Sequence, residues 1–157
     1  MLMVAGPVLI GPQQTEAAEG TISLAAGSFD LLGQHTDTMV QLEYAFAHAF
    51  WYGLQPFVGG WVTFAEDNYL YAGLQRRFAL TSRWWLTPSF AVGGYNDRNG
   101  KILGKDLEFQ SRLELGYQFD ERHGLSLQFG HISNGGLGDL NPGAETLVLN
   151  YSYQLED

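Results

Sequence analysis

The chain has 157 residues, which bounds it to one domain, and its composition is 45% hydrophobic, 14% aromatic and 16% charged with 20 glycines and a net charge of −9. That aromatic and glycine content with so few charges fits an all-β chain better than a helical bundle. The absence of cysteine excludes a disulfide framework, a thiolate metal site and a cysteine nucleophile, and the acidic balance argues against general nucleic-acid binding, which needs clustered Lys and Arg.

The first ten residues, MLMVAGPVLI, resemble the apolar region of a secretory signal, with a cleavage site at Ala17-Ala18. No Lys or Arg precedes Arg76, so residues 1–18 are expected to be a signal truncated at its start, with a hydrophobic or disordered N-terminal tail as the alternative. No run of about 18 apolar residues follows, which excludes a transmembrane helix. Residues 20–157 read instead as one β domain, cut by turn signals into eight alternating segments.

The first segment, 21–28, puts Ile22, Leu24 and Ala26 on one face; the second, 38–49, alternates Val40, Leu42, Tyr44 and Phe46 with Gln41, Glu43, Ala45 and Ala47. Segments 55–65 and 68–79 are broken by glycine, and the fifth, 84–94, aligns Trp84, Leu86, Pro88, Phe90 and Val92. The sixth is the cleanest: Leu107, Phe109, Leu113, Leu115, Tyr117 and Phe119 face one way, and Glu108, Gln110, Arg112, Glu114 and Gln118 the other. The seventh, 124–136, and the eighth, 144–155, complete the set.

Eight amphipathic strands make either a soluble lipocalin-like barrel with apolar residues inward or an outer-membrane barrel with apolar residues outward. Opposite charges on the polar faces (Glu43, Glu108, Arg112, Glu114, with Arg76 or Arg77) could satisfy one another in a narrow lumen. Connections over 30–37, 96–105 and 135–143 are long and odd-numbered, whereas 81–83 and 120–123 are short and even-numbered, as in a membrane barrel with periplasmic termini. The turn at 66–68 is short and departs from this trend. Aromatic clusters at strand ends (Phe50, Trp51, Tyr52; Trp84, Trp85; Tyr151, Tyr153) suit interfacial girdles. The expected fold is an eight-stranded antiparallel transmembrane β-barrel of the bacterial outer membrane.

Three polar residues interrupt the apolar rows. His131 and Ser133 share a face with Leu125, Leu127 and Phe129, and Glu145 leads the row Leu147, Leu149, Tyr151, Tyr153 and Leu155. A hairpin centred near Gly138 would set His131 opposite Glu145, with Ser133 two residues along. A serine hydroxyl is a weak nucleophile until a base takes its proton, and a carboxylate fixes the tautomer of that base. The combination points to a serine esterase for an apolar substrate, needing no metal or other cofactor. Gly135 and Gly136 could present backbone N–H groups to an oxyanion, and Asn134 and Asn141 could donate from side chains. His35 and Asp37 lack a third ligand nearby and read as a solvated loop.

GHISNGG at 130–136 with NPGAE at 141–145 resembles the signature of the outer-membrane lipid A 3-O-deacylases (PagL type). The resemblance implies a Ser133–His131–Glu145 triad on the lipid-facing exterior near the outer surface, hydrolysing the ester-linked 3-hydroxyacyl chain at position 3 of lipid A. It also implies an oxyanion hole of the Gly136 N–H and the Asn141 side chain, supported by Asn134. Arg98, Lys101 and Lys105 form a basic cluster in the longest outer loop and could contact lipid A phosphates, although Asp97 and Asp106 flank them. The partners implied are lipid A or lipopolysaccharide and the outer membrane, with a homodimer allowed. Two other readings stand beside this one: a non-enzymatic structural or adhesion barrel, and a soluble lipocalin-like binder of an apolar ligand.

Overall fold

The computed structural model describes residues 20–155, so the segment expected to be a signal, 1–18, lies outside the described residues. The strands are β1 (Thr21–Phe29), β2 (Asp37–Ala45), β3 (Gln55–Thr63), β4 (Asn68–Gln75), β5 (Phe78–Ala79), β6 (Trp84–Asn96), β7 (Leu107–Gln118), β8 (His123–Ser133) and β9 (Ala144–Gln154). Neighbouring strands pair antiparallel, β4 and β5 each with β6, and β1 pairs with β9 from Thr21↔Gln154 to Phe29↔Thr146, which closes the sheet.

The nine segments make eight staves, because β4 and β5 both pair with β6 in one unbroken register: Gln75↔Ser89 continues to Phe78↔Leu86. Pro88 is the cause of the interruption. The Arg76 N–H donates to the Pro88 carbonyl at 3.1 Å, but Pro88 has no N–H to return. A second difference from expectation lies between β2 and β3. The alternation suggests strand through Ala49, yet β2 ends at Ala45, and residues 46–54 form an irregular connection containing a 3-10 turn, Trp51–Gly53, with Tyr52 at φ 60°.

The rows sort as the alternation requires for a membrane barrel. Leu24, Leu42, Phe90, Leu107, Leu113, Leu127, Phe129 and Leu149 are exposed on the outward face, while Gln41, Glu43, Gln110, Arg112, Glu114, Gln128 and Asn150 are buried in the lumen. A soluble barrel would have the opposite arrangement; an apolar exterior over every stave belongs against hydrocarbon.

The lumen is filled in layers. At the end holding the long loops, Phe29, Met39, Trp61, Tyr69, Tyr95, Leu103 and Ile132 pack together, with Phe29 and Trp61 ring centroids 5.0 Å apart. Below them, Arg112 Nη1 meets Glu43 Oε2 at 2.6 Å, Tyr71 donates to the same oxygen at 3.0 Å, and Arg112 Nε donates to Ser89 Oγ at 2.9 Å. The guanidinium also lies 4.4 Å from the Phe57 ring centre. Gln128 donates to Glu114 at 3.2 Å, and Arg77 turns inward over Trp85 at 4.3 Å, whereas Arg76 lies against the exposed Phe78. The expected mutual satisfaction of charges therefore holds for Glu43 and Arg112. It fails for Glu108, which is fully buried and forms no ion pair among the described residues.

A buried ion left without its partner is far costlier than losing the pair entirely. Arg112→Met should lower stability by about 3–5 kcal/mol, and adding Glu43→Gln should recover much of that loss. Urea unfolding of the barrel in lipid vesicles, followed by tryptophan fluorescence, measures both.

Candidate active site

The site is built where β8 ends and β9 begins, at the long-loop end of the barrel. Register fixes its first pair: His131 is the cross-strand partner of Glu145, and His131 Nδ1 lies 3.2 Å from Glu145 Oε1. The imidazole is about half exposed and the carboxylate a quarter exposed, at 48% and 26%, so the pair sits on the outer wall of the barrel. The start of β9 is anchored from its other side, since Leu31 N–H donates to the Glu145 carbonyl at 3.0 Å.

With Nδ1 directed to Glu145, Nε2 is the ring nitrogen left for a reacting group. Ser133 occupies the same outward face one rung nearer the loops, half-buried, and no hydrogen bond among the described residues yet joins its hydroxyl to the ring. The β8–β9 ladder ends at Ile132↔Ala144, and Gly143 lies just beyond it. Gly143 is where the imidazole is given room. A Cβ there would stand 2.7 Å from His131 Cε1 and 3.2 Å from Nε2, and its φ of +62° is one that side chains disfavour. The glycine directly after proline, two residues before the carboxylate, is the one sequence signal for this close approach.

The loop residues are held by one buried amide. Asn134 donates from Nδ2 to the Leu103 and Leu140 carbonyls at 3.0 and 2.8 Å, tying loop 97–106 to loop 134–143. Its Oδ1 accepts the Gly136 N–H at 3.0 Å, and its own N–H donates to Asn141 Oδ1 at 3.0 Å. Asn141 thus spends its acceptor inside the loop and keeps its exposed amide donors for an incoming group. The Gly136 N–H, by contrast, is already engaged. Gly104, at φ +97°, lets the loops touch: a Cβ there would lie 2.1 Å from the Leu140 carbonyl oxygen.

Two carboxylates that the sequence did not single out organise the basic loop. Asp67, 1% exposed in the short turn after β3, accepts N–H groups from Arg98 at 3.1 Å, Gly100 at 2.9 Å and Lys101 at 2.9 Å, and the Tyr95 hydroxyl at 3.1 Å. The short turn thereby anchors the long loop. Asp30, fully buried, forms an ion pair with Lys101 Nζ and accepts the His35 N–H at 2.9 Å. Of the three basic residues, Lys101 is therefore drawn inward, while Arg98 and Lys105 remain exposed. No local pattern marks Asp30 or Asp67, since their partners lie in distant loops.

Removing the anchor should loosen the loop and leave the barrel standing. Asp67→Ala is expected to raise the rate of proteolytic cleavage within residues 97–105 severalfold without altering heat-modifiable migration on gels. Gly143→Ala should displace the imidazole from Glu145 in a barrel that still folds; a shift of the His131 ring resonances in NMR spectra of the refolded protein, with heat-modifiable migration unchanged, reads this directly.

The model of the family "Lipid A 3-O-deacylase (PagL)" matches residues 24–154. Lipid A deacylase PagL of Bordetella bronchiseptica is 28% identical over 80 residues, covering 46% of this chain and 45% of the relative. The alignment thus spans less than half the length of that relative. Among solved structures, the outer membrane enzyme PagL superposes with a TM-score of 0.67 at 21% identity, covering 86% of this chain and 99% of the other. A de novo designed transmembrane β-barrel follows at 0.65 and 11% identity, covering 88% and 96%. Both structural matches establish the fold. The family match takes in the His131–Glu145 pair, Ser133 and both loops that buttress them, and the chain belongs to the lipid A 3-O-deacylase (PagL) family.

Proposed function

We propose that the chain is a lipid A 3-O-deacylase of the bacterial outer membrane, acting as a serine esterase from the outward wall of its barrel near the outer surface. The observation that carries this reading is the His131–Glu145 pair at the end of an otherwise apolar outward face. A base and its orienting carboxylate serve no packing purpose there, and a membrane-embedded ester reaches that depth without leaving the lipid. The family and its relative in Bordetella supply the substrate class.

In this mechanism Glu145 holds the tautomer that leaves Nε2 as the base. Nε2 takes the Ser133 proton as Oγ attacks the ester carbonyl at position 3 of lipid A. The oxyanion that forms is met by the Asn141 amide N–H and by the Gly136 N–H, which exchanges Asn134 Oδ1 for the stronger, charged acceptor. His131 then returns the proton to the departing sugar oxygen, the C–O bond breaks, and water repeats the sequence on the acyl-enzyme. Arg98 and Lys105, whose side chains remain exposed, are placed to contact lipid A phosphates, and Lys101 acts through its pair with Asp30 instead. All three triad residues come from one chain, so the chemistry does not depend on a homodimer.

The test compares wild type and Ser133→Ala in a bacterium with unmodified lipid A, followed by mass spectrometry of the lipid. Wild type should remove one 3-hydroxyacyl chain and Ser133→Ala none, a loss of at least about 10³-fold. An unchanged lipid A mass with wild type properly inserted overturns the proposal and favours a structural barrel. Glu145→Ala should fall between the two, lowering kcat by about 10²–10⁴-fold with KM nearly constant.

A further inference from the structure

The outward row of β7 runs Leu107, Phe109, Ser111, Leu113, Leu115, and Ser111 is its single polar member. Ser111 is exposed, and its cross-strand partners are Phe90 on β6 and His131 on β8. One depth of the outer wall therefore carries Phe90, Ser111, His131 and Glu145 side by side. The imidazole turns away from Ser111, with Nδ1 on Glu145 and its Cε1–Nε2 edge over Gly143. No hydrogen bond among the described residues takes up the Ser111 hydroxyl. On its other flank the Phe90 and Phe109 rings stack, with centroids 6.0 Å apart at 18°. A small hydroxylated floor is left between an aromatic wall and the catalytic base, on a face where unpaired polar groups are costly.

Phe109 is the partner of Ser133, so Ser111 lies one rung further from the loops than the nucleophile, a step of about 7 Å. An acyl chain whose carbonyl carbon is at Ser133 Oγ runs in that direction, into the hydrocarbon. A hydroxyl on its third carbon, extended by one hydrogen bond of about 2.8 Å, spans most of that step.

We propose that Ser111 is a specificity residue that hydrogen-bonds the 3-hydroxyl of the acyl chain being released, so that the site prefers 3-hydroxyacyl esters to esters of unsubstituted chains. This rests on the esterase reading given above. Ser111 takes no part in proton transfer, and its contribution is to set which chain sits at the nucleophile.

The experiment uses the purified full chain in mixed micelles with two synthetic lipid A analogues that differ only at position 3, one bearing 3-hydroxytetradecanoate and one tetradecanoate. Wild type should prefer the hydroxylated ester about tenfold in kcat/KM. Ser111→Ala should bring that ratio close to one, and Ser111→Thr, which keeps the hydroxyl, should retain most of it. A wild type that cleaves both esters alike, or a Ser111→Ala variant that loses rate on both and keeps the ratio, overturns this proposal and leaves the esterase reading intact. A folded wild type that cleaves neither ester overturns both.

Discussion

Closure of the sheet is the constraint on which the rest depends. A strand in hydrocarbon has no water to satisfy its backbone, so every N–H and C=O must find a partner across the ladder, and the β1–β9 pairing removes the last free edges. Once the ring is closed at eight staves, the outward side chains must be apolar and the inward ones must fill a narrow tube. Pro88 shows how tightly this is drawn: a single missing N–H breaks a strand into two segments, yet the register carries through. The packed interior then leaves the outer wall and the loops as the places where a substrate-sized group can be met.

The loop end is stiffened by polar groups turned inward. Asp67 collects three backbone N–H groups from a loop some thirty residues away in sequence, Asp30 pairs with Lys101, and Asn134 bridges two loops through two carbonyls. These contacts rest on the aromatic layer of Phe29, Trp61 and Tyr95. The loop that follows β8 is thus positioned by the same packing that seals the tube, which lets short polar side chains on an exposed wall hold a defined arrangement.

Much of this was legible along the chain because strand periodicity is local. The alternation in residues 107–119 fixed which residues of β7 face outward, and a hairpin centred near Gly138 placed His131 against Glu145, as observed. What was not legible depends on contacts far apart in sequence or on the loss of a side chain. Asp30 and Asp67 look like ordinary turn residues until the loop from 97 to 106 folds over them. Gly143 is informative only when the imidazole is seen above it. The early end of β2 at Ala45, where the alternation continues to Ala49, shows that a local pattern does not by itself supply a ladder partner. Lys101 was grouped with Arg98 and Lys105 by proximity, and burial separated it from them.

Under the proposed esterase chemistry, the placement of His131 and Glu145 on the convex wall has a kinetic meaning. A reactive group inside a cleft is found by diffusion in three dimensions and guarded by a mouth. One on the outside of a barrel is found by lateral diffusion in a plane, already at the correct depth and with the molecular axis of the lipid already aligned. One translational and two tilting degrees of freedom are restricted by the bilayer before any contact with protein is made, so the wall needs only a shallow, sparsely polar surface to complete the orientation. Surface density and lipid packing, more than bulk concentration, then set how often such a wall is visited.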